Sequence, residues 1–136
     1  MLVFAGYATR DPIQEAKSVI TSHEQYAKAG NLEGILSNMA DDAVALTPGL
    51  PLIKGKQAVK EFYAGVLAMG KSEFSHLYDG ADLAGDVVVL YGLATGKTTL
   101  KDGTVTALAN NFLIVMKRQA DGKMKCWRVA FAPSGK

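Results

Sequence analysis

The 136-residue chain has a single cysteine, Cys126, so no disulfide can form within it. Its two histidines, His23 and His76, are too few to suggest a zinc site. Charge of one sign is also lacking. Fifteen Lys+Arg against thirteen Asp+Glu leave a net +2, too balanced for a chain whose main partner is nucleic acid or an anionic membrane. No apolar run approaches the ~20 residues that span a bilayer. Met1-Leu2-Val3-Phe4-Ala5 has no basic segment before it and reaches Arg10-Asp11 too soon for a signal peptide. There is no G-x-G-x-x-G, no phosphate loop and no G-x-S-x-G elbow. What is present is 49% hydrophobic and 21% charged, which predicts a packed core and not a disordered chain. The length suits one domain over residues 1–136, soluble and cytoplasmic.

Asp11-Pro12 opens the first helix, with Asp11 as cap and Pro12 in the first turn, where its missing N–H costs nothing. The apolar stripe runs Ile13, Ala16, Val19, Ile20, Tyr26, Ala27, and His23 falls in its gap. Gly30 ends this helix. Asn31 caps a shorter one carrying Leu32, Ile35, Leu36 and Met39, which Asp41-Asp42 closes. A strand over residues 43–47 meets the turn Pro48-Gly49, and Leu52-Ile53 returns briefly. Val59, Phe62, Tyr63, Val66 and Leu67 mark a third helix ending near Gly70. From Glu73 the period becomes extended, with Phe74, His76 and Tyr78 on one side. Long strands follow over residues 87–98, 105–118 and 124–132, divided by Asp102-Gly103 and Asp121-Gly122, the strongest short hairpin signal. The order α-α-β-β-α-β-β-β-β predicts an α+β fold, with helices on one face of a curved antiparallel sheet. Gly92 and Gly96, inside a strand, would permit its curvature.

Residues 87–91 and 112–116 are apolar on both strand faces, which predicts a homodimer through the sheet. His23 is either a core histidine bonded to a carbonyl or tyrosine, or an acid/base group facing a pocket. Asn110 and Asn111 sit in an apolar strand, and by parity one points toward the helices and the other away. The inward one either bridges to backbone or lines a pocket as a neutral amide. Thr47 is an ordinary strand-end residue on its own evidence, while Tyr63, Tyr78 and Trp127 are large amphipathic core candidates. Asp42 is assigned to backbone donors near the helix end. Cys126, with no activating neighbour, is structural.

Tyr26-Ala27-Lys28-Ala29-Gly30-Asn31-Leu32-Glu33-Gly34-Ile35-Leu36, then Ala40-Asp41-Asp42-Ala43-Val44, Thr47-Pro48-Gly49, Ile53-Lys54-Gly55-Lys56 and Val59-Lys60-Glu61-Phe62-Tyr63 form a motif order. This order resembles the ketosteroid isomerase-like and SnoaL-like branch of the nuclear transport factor 2-like superfamily, over about residues 12–70. The resemblance implies a cone: helices packed on a strongly curved mixed or antiparallel sheet, a deep pocket at the open end, and commonly a dimer. By position it implies that Thr47 replaces the isomerase's aspartate base, His23 its oxyanion-hole tyrosine, and Asn110 its protonated aspartate. Threonine is no unassisted base near neutral pH, which argues against steroid isomerisation. His23, Thr47 and Asn110 instead suit a small, mostly apolar ligand bearing a carbonyl or hydroxyl, with His23 moving a proton and Tyr63 and Trp127 as walls. No metal or organic cofactor is implied. The alternative is a non-catalytic dimerisation or association module with a vestigial pocket.

Overall fold

The computed structural model describes residues 11–135; the reading that the first residues lack a signal peptide lies outside them. Helix α1 (Pro12–Ala29) starts where the Asp11 carboxylate accepts a hydrogen bond from the Ile13 amide at 2.9 Å. It stops where Gly30 turns to φ 70°, a left-handed conformation that favours glycine. Helix α2 (Leu32–Ser37) is capped by Asn31, whose side-chain oxygen accepts from the Gly34 amide at 2.9 Å. Here one expectation fails. Met39, Asp41 and Asp42 do not belong to the helix; they form the first half of β1 (Met39–Leu46). The register of β1 slips between Met39 and Val44, so its burial does not alternate cleanly and the strand reads like a helix end. Asp42 accordingly caps nothing: its carboxylate accepts from the Trp127 indole at 3.2 Å.

Strand β2 (Ile53–Lys54) and helix α3 (Lys56–Met69) follow, then β3 (Gly70–Ala84), β4 (Val87–Leu100), β5 (Val105–Arg118) and β6 (Met124–Pro133). The element order is the one the sequence predicts. Both Asp-Gly turns form, with Gly103 and Gly122 at φ 90° and each aspartate accepting from an amide two residues on, at 2.9 Å. The six strands lie in the order β2-β1-β6-β5-β4-β3; every pairing is antiparallel except β1 with β6. The sheet is therefore mixed. Its edges do not meet.

Strands of 14 and 15 residues must bend to enclose helices, and β3 and β4 show how. The β3 ladder shifts by one residue between Tyr78 and Gly80. Opposite Tyr78 and Phe74 stand Gly92 and Gly96, where the backbones come so close that a Cβ would overlap the carbonyl oxygens of Leu77 and Glu73. In the hollow lies α1, which buries Ala16, Ile20 and Ala27. Glu15 fastens its first turn to β5 through two bonds to the Arg118 guanidinium, at 2.8 and 3.1 Å. Ile20, Val59, Val88, Leu90 and Met116 are fully buried, each worth roughly 1.5–3 kcal/mol of apolar transfer. The opposite sheet face stays apolar as well: Leu77, Tyr91 and Leu113 are 56%, 42% and 45% exposed, too open for core residues.

Gly96→Ala will destabilise the fold by about 2 kcal/mol, because rigid backbone meets the new methyl group. Gly65→Ala, with open space at its Cβ on α3, will be neutral or stabilising by up to ~1 kcal/mol. Urea denaturation of the two variants against the parent chain measures both.

Candidate functional site

Between α1, α3 and the concave face of β3–β6 lies a cavity of about 340 Å³. Its floor is aliphatic, with Ile20, Ile35, Met39 and Val129. Its polar wall consists of His23 from α1, Tyr63 from α3, Ser72 and His76 from β3, Thr98 from β4 and Asn110 from β5. Among the described residues no Asp, Glu, Lys or Arg side chain lines it. Such a space takes a compact molecule and disfavours a charged one, since nothing there would compensate the lost hydration.

Of the five residues proposed from sequence, the fold brings three together. His23, Tyr63 and Asn110 all line the cavity. Of the two asparagines, Asn110 shares the inward side of β5 with Phe112 and Ile114, while Asn111 is exposed. The other two proposed residues are elsewhere. Thr47 lies one residue beyond β1, in the turn that carries Pro48 away, and its hydroxyl is shielded without a partner among the described residues. Trp127 sits where β6 carries an extra residue against β5, Val115 pairing with Arg128 and Met116 with Cys126. That bulge sends Cys126 inward and leaves Trp127 outside, with the Arg128 guanidinium 3.9 Å and the Lys117 ammonium 4.4 Å from its ring centre.

His23 faces the cavity, yet its Nδ1 is shielded and has no hydrogen-bond partner among the described residues. Its ring stands edge-on to Tyr63, with centroids 5.6 Å apart, and to Phe74 at 6.1 Å. Burial lowers its pKa from 6.5 to about 4, with nearby His76 adding to the effect. At neutral pH His23 is an uncharged imidazole, with one nitrogen that donates and one that accepts. Burial, and next the Cys126 thiol, raises the Tyr63 pKa above the usual phenol range, so Tyr63 stays a neutral hydroxyl. Burial likewise pushes the Cys126 thiol up to about 12, which keeps it unreactive.

Sequence reasoning missed the strongest polar pair. Glu24 follows His23 on α1, and the ~100° helical step turns it from the cavity toward β3. There its Oε2 accepts from the His76 backbone amide at 2.8 Å and meets His76 Nδ1 at 2.7 Å. The side chains are only 7% (His76) and 19% (Glu24) exposed, so water competes little for the bond. A carboxylate on Nδ1 fixes the proton there and leaves Nε2 as a bare acceptor on the cavity-lining ring. Phe112 packs edge-on to the imidazole at 4.8 Å and helps hold it. The alternation of Phe74, His76 and Tyr78 put His76 on one side of a strand with two aromatic residues, and the structure turns that side inward. Nothing in the spacing could supply a partner 52 residues upstream.

Because the folded chain refuses a proton on His23 until about pH 4 and the unfolded chain accepts one near 6.5, stability is full above pH 6.5 and falls toward pH 4. The expected loss is ~3 kcal/mol. Urea midpoints at pH 7 and pH 4 will show a smaller drop for His23→Phe than for the parent chain.

Comparison with known proteins adds the family. No curated protein matches the chain. Among solved structures, a ketosteroid isomerase-like protein from Erwinia carotovora atroseptica has a TM-score of 0.82 and 18% identity, covering 94% of this chain and all of that one. A candidate dehydratase of the nuclear transport factor 2-like family from Streptomyces avermitilis has a TM-score of 0.77 and 16% identity, over 92% and 98%. A candidate calcium/calmodulin-dependent protein kinase II association domain from Xanthomonas campestris has 0.81 and 18%, over 90% and 88%. At these identities the likeness shows the fold, the α+β cone of the nuclear transport factor 2-like superfamily. The model of the SnoaL-like domain matches residues 21–127, most of the sequence, and the chain belongs to that family.

Proposed function

We propose that this protein binds a compact, uncharged, mostly apolar molecule carrying a carbonyl or hydroxyl, and moves a proton on it. The observation that carries this reading is the Glu24–His76 pair, whose imidazole lines a cavity that has no charged side chain among the described residues. His76 Nε2 takes the proton from the ligand, and Glu24 orients the ring and stabilises the imidazolium that forms. His23, whose pKa of about 4 makes it a poor base at neutral pH, acts with Tyr63 and Asn110 as a neutral hydrogen-bonding group for the ligand oxygen. Thr47 and Trp127 have no part. Isomerase, dehydratase or cyclase-like chemistry fits this layout, in keeping with the name of the Streptomyces neighbour. Met39 and Phe62 line the cavity and do not fill it, which favours this reading over a vestigial pocket in an association module.

A panel of neutral hydrophobic ketones and alcohols, followed by imidazole ¹⁵N NMR, will shift both histidines; carboxylate analogues will bind at least ~10-fold more weakly. Deuterium uptake from D₂O beside the ketone carbonyl will fall roughly 10²–10⁴-fold in His76→Gln. Unmoved histidine signals across the panel, or full exchange in His76→Gln, would sink the reading.

The outer sheet face supports a homodimer. Tyr91 pairs with Leu113 and Leu77 with Leu93 across adjacent strands, an apolar patch of the kind soluble monomers seldom leave uncovered. Sedimentation at micromolar concentration will give a dimer for the parent chain and a monomer for Leu113→Asp. A monomeric parent chain overturns it.

A further inference from the structure

The Glu24–His76 pair borders two spaces at once. His76 lines the inner cavity and Glu24 does not. Glu24 lines a second, polar cleft of about 530 Å³, which His76 does not reach. Gln25 and Lys28 of α1, Glu73 and Ser75 of β3, and Lys97 of β4 line this cleft with exposed side chains, so it opens to solvent. The hydrogen-bonded pair therefore passes through the wall between an apolar chamber and water. Its inner end is an imidazole and its outer end a carboxylate, joined by the 2.7 Å bond. Among the described residues Phe74 alone lines both spaces.

We propose that Glu24 is the outlet of a proton relay that exchanges the cavity's proton with solvent through the wall and not through the ligand's entrance. This rests on the reading of His76 as the proton-transfer group. With a ligand in the chamber, the hydrogen-bonded partner that leads from the His76 ring toward water is Glu24. When Nε2 holds a proton taken from the cavity, Nδ1–H passes its own to Glu24 Oε2, and the carboxylic acid so formed releases it to water in the cleft. The imidazole is then neutral, protonated on Nε2. The reset runs in reverse: Nε2–H is donated into the cavity while Nδ1 regains a proton from Glu24, which takes one from the cleft. Each cycle leaves the pair unchanged and conserves protons. Glu24 thus serves between turnovers, whereas during the proton transfer itself it only orients and stabilises the ring.

The groups facing Glu24 suit a conduit. Lys28, Lys97 and Glu73 line the cleft side, and half-buried Tyr78, its phenol pKa raised by burial and by the nearby Glu24, remains a neutral hydroxyl beside the pair.

The test needs no substrate, so its failure is separate from failure of the proton-transfer reading. The measurement is the exchange rate of the His76 imidazole N–H proton with water, from ¹⁵N-resolved NMR of the full chain. Glu24→Gln keeps an acceptor for the imidazole but cannot carry a proton, and should slow exchange by roughly 100-fold, the scale of a positioned proton acceptor. Glu24→Asp, which retains the carboxylate, should exchange faster than Glu24→Gln. Ser75→Trp, placed at an exposed position that lines the cleft, should slow exchange while leaving the His76 ring shifts in place. Parent-like exchange in both Glu24→Gln and Ser75→Trp would overturn the proposal, because the proton would then be leaving through the inner cavity.

Discussion

Long strands that have to bend set the terms for everything else in this protein. A 15-residue β3 and its 14-residue neighbours are far longer than α1 needs for support, and a flat sheet of that length would leave its inner face wet. The bend comes from missing matter: Gly92 and Gly96 have no Cβ to keep β3 at a distance. Once the sheet curls, α1 occupies part of the hollow and aliphatic side chains close the floor. The rest stays open as the cavity. The pocket is the volume by which a curved sheet exceeds the helices it holds.

That origin explains the site's electrostatics. A chamber walled by the inner faces of strands and helices is apolar by construction, and each polar group admitted to it must be neutral or tethered. His23 is the neutral solution, held uncharged by burial. His76 is the tethered one, its ring pinned by Glu24 from behind. The two imidazoles line the same cavity in different environments: His23 is held uncharged by burial, whereas the His76 ring is hydrogen-bonded to a carboxylate.

Which parts of this were legible in the sequence follows from how local each signal is. Helix caps at Asp11 and Asn31 and the Asp-Gly turns act within a few residues, and the element order read from them is correct. Parity, also local, put Asn110 and Asn111 on opposite sides of a strand and His76 on one side with Phe74 and Tyr78, but it did not say which side faces inward. Bulges are where parity breaks: the one beside Trp127 turned it outward, and the slip in β1 disguised Met39 and Asp42 as helix. Thr47 was placed by analogy with a family position, and the turn after Leu46 carries it off the cavity wall. The Glu24–His76 bond was beyond reach, since it joins a helix to a strand through the tertiary packing that parity does not describe.

The parallel pairing of β1 with β6 has a consequence in time as well as in space. β6 is the last strand in chain order, yet it lies between β1 and β5, and its partners across the parallel seam lie some eighty residues earlier. A chain emerging from the ribosome can form the α1–α2 pair and the β3–β4 hairpin early, because those contacts are near neighbours. It cannot join the two halves of the sheet until residues 124–133 arrive. Until then β1 and β5 each present an open edge, the kind of edge that recruits strands from other chains. The cavity, whose wall includes Cys126, Val129 and Phe131, is thus a late product of folding, and β6 is the element that both completes it and silences the exposed edges.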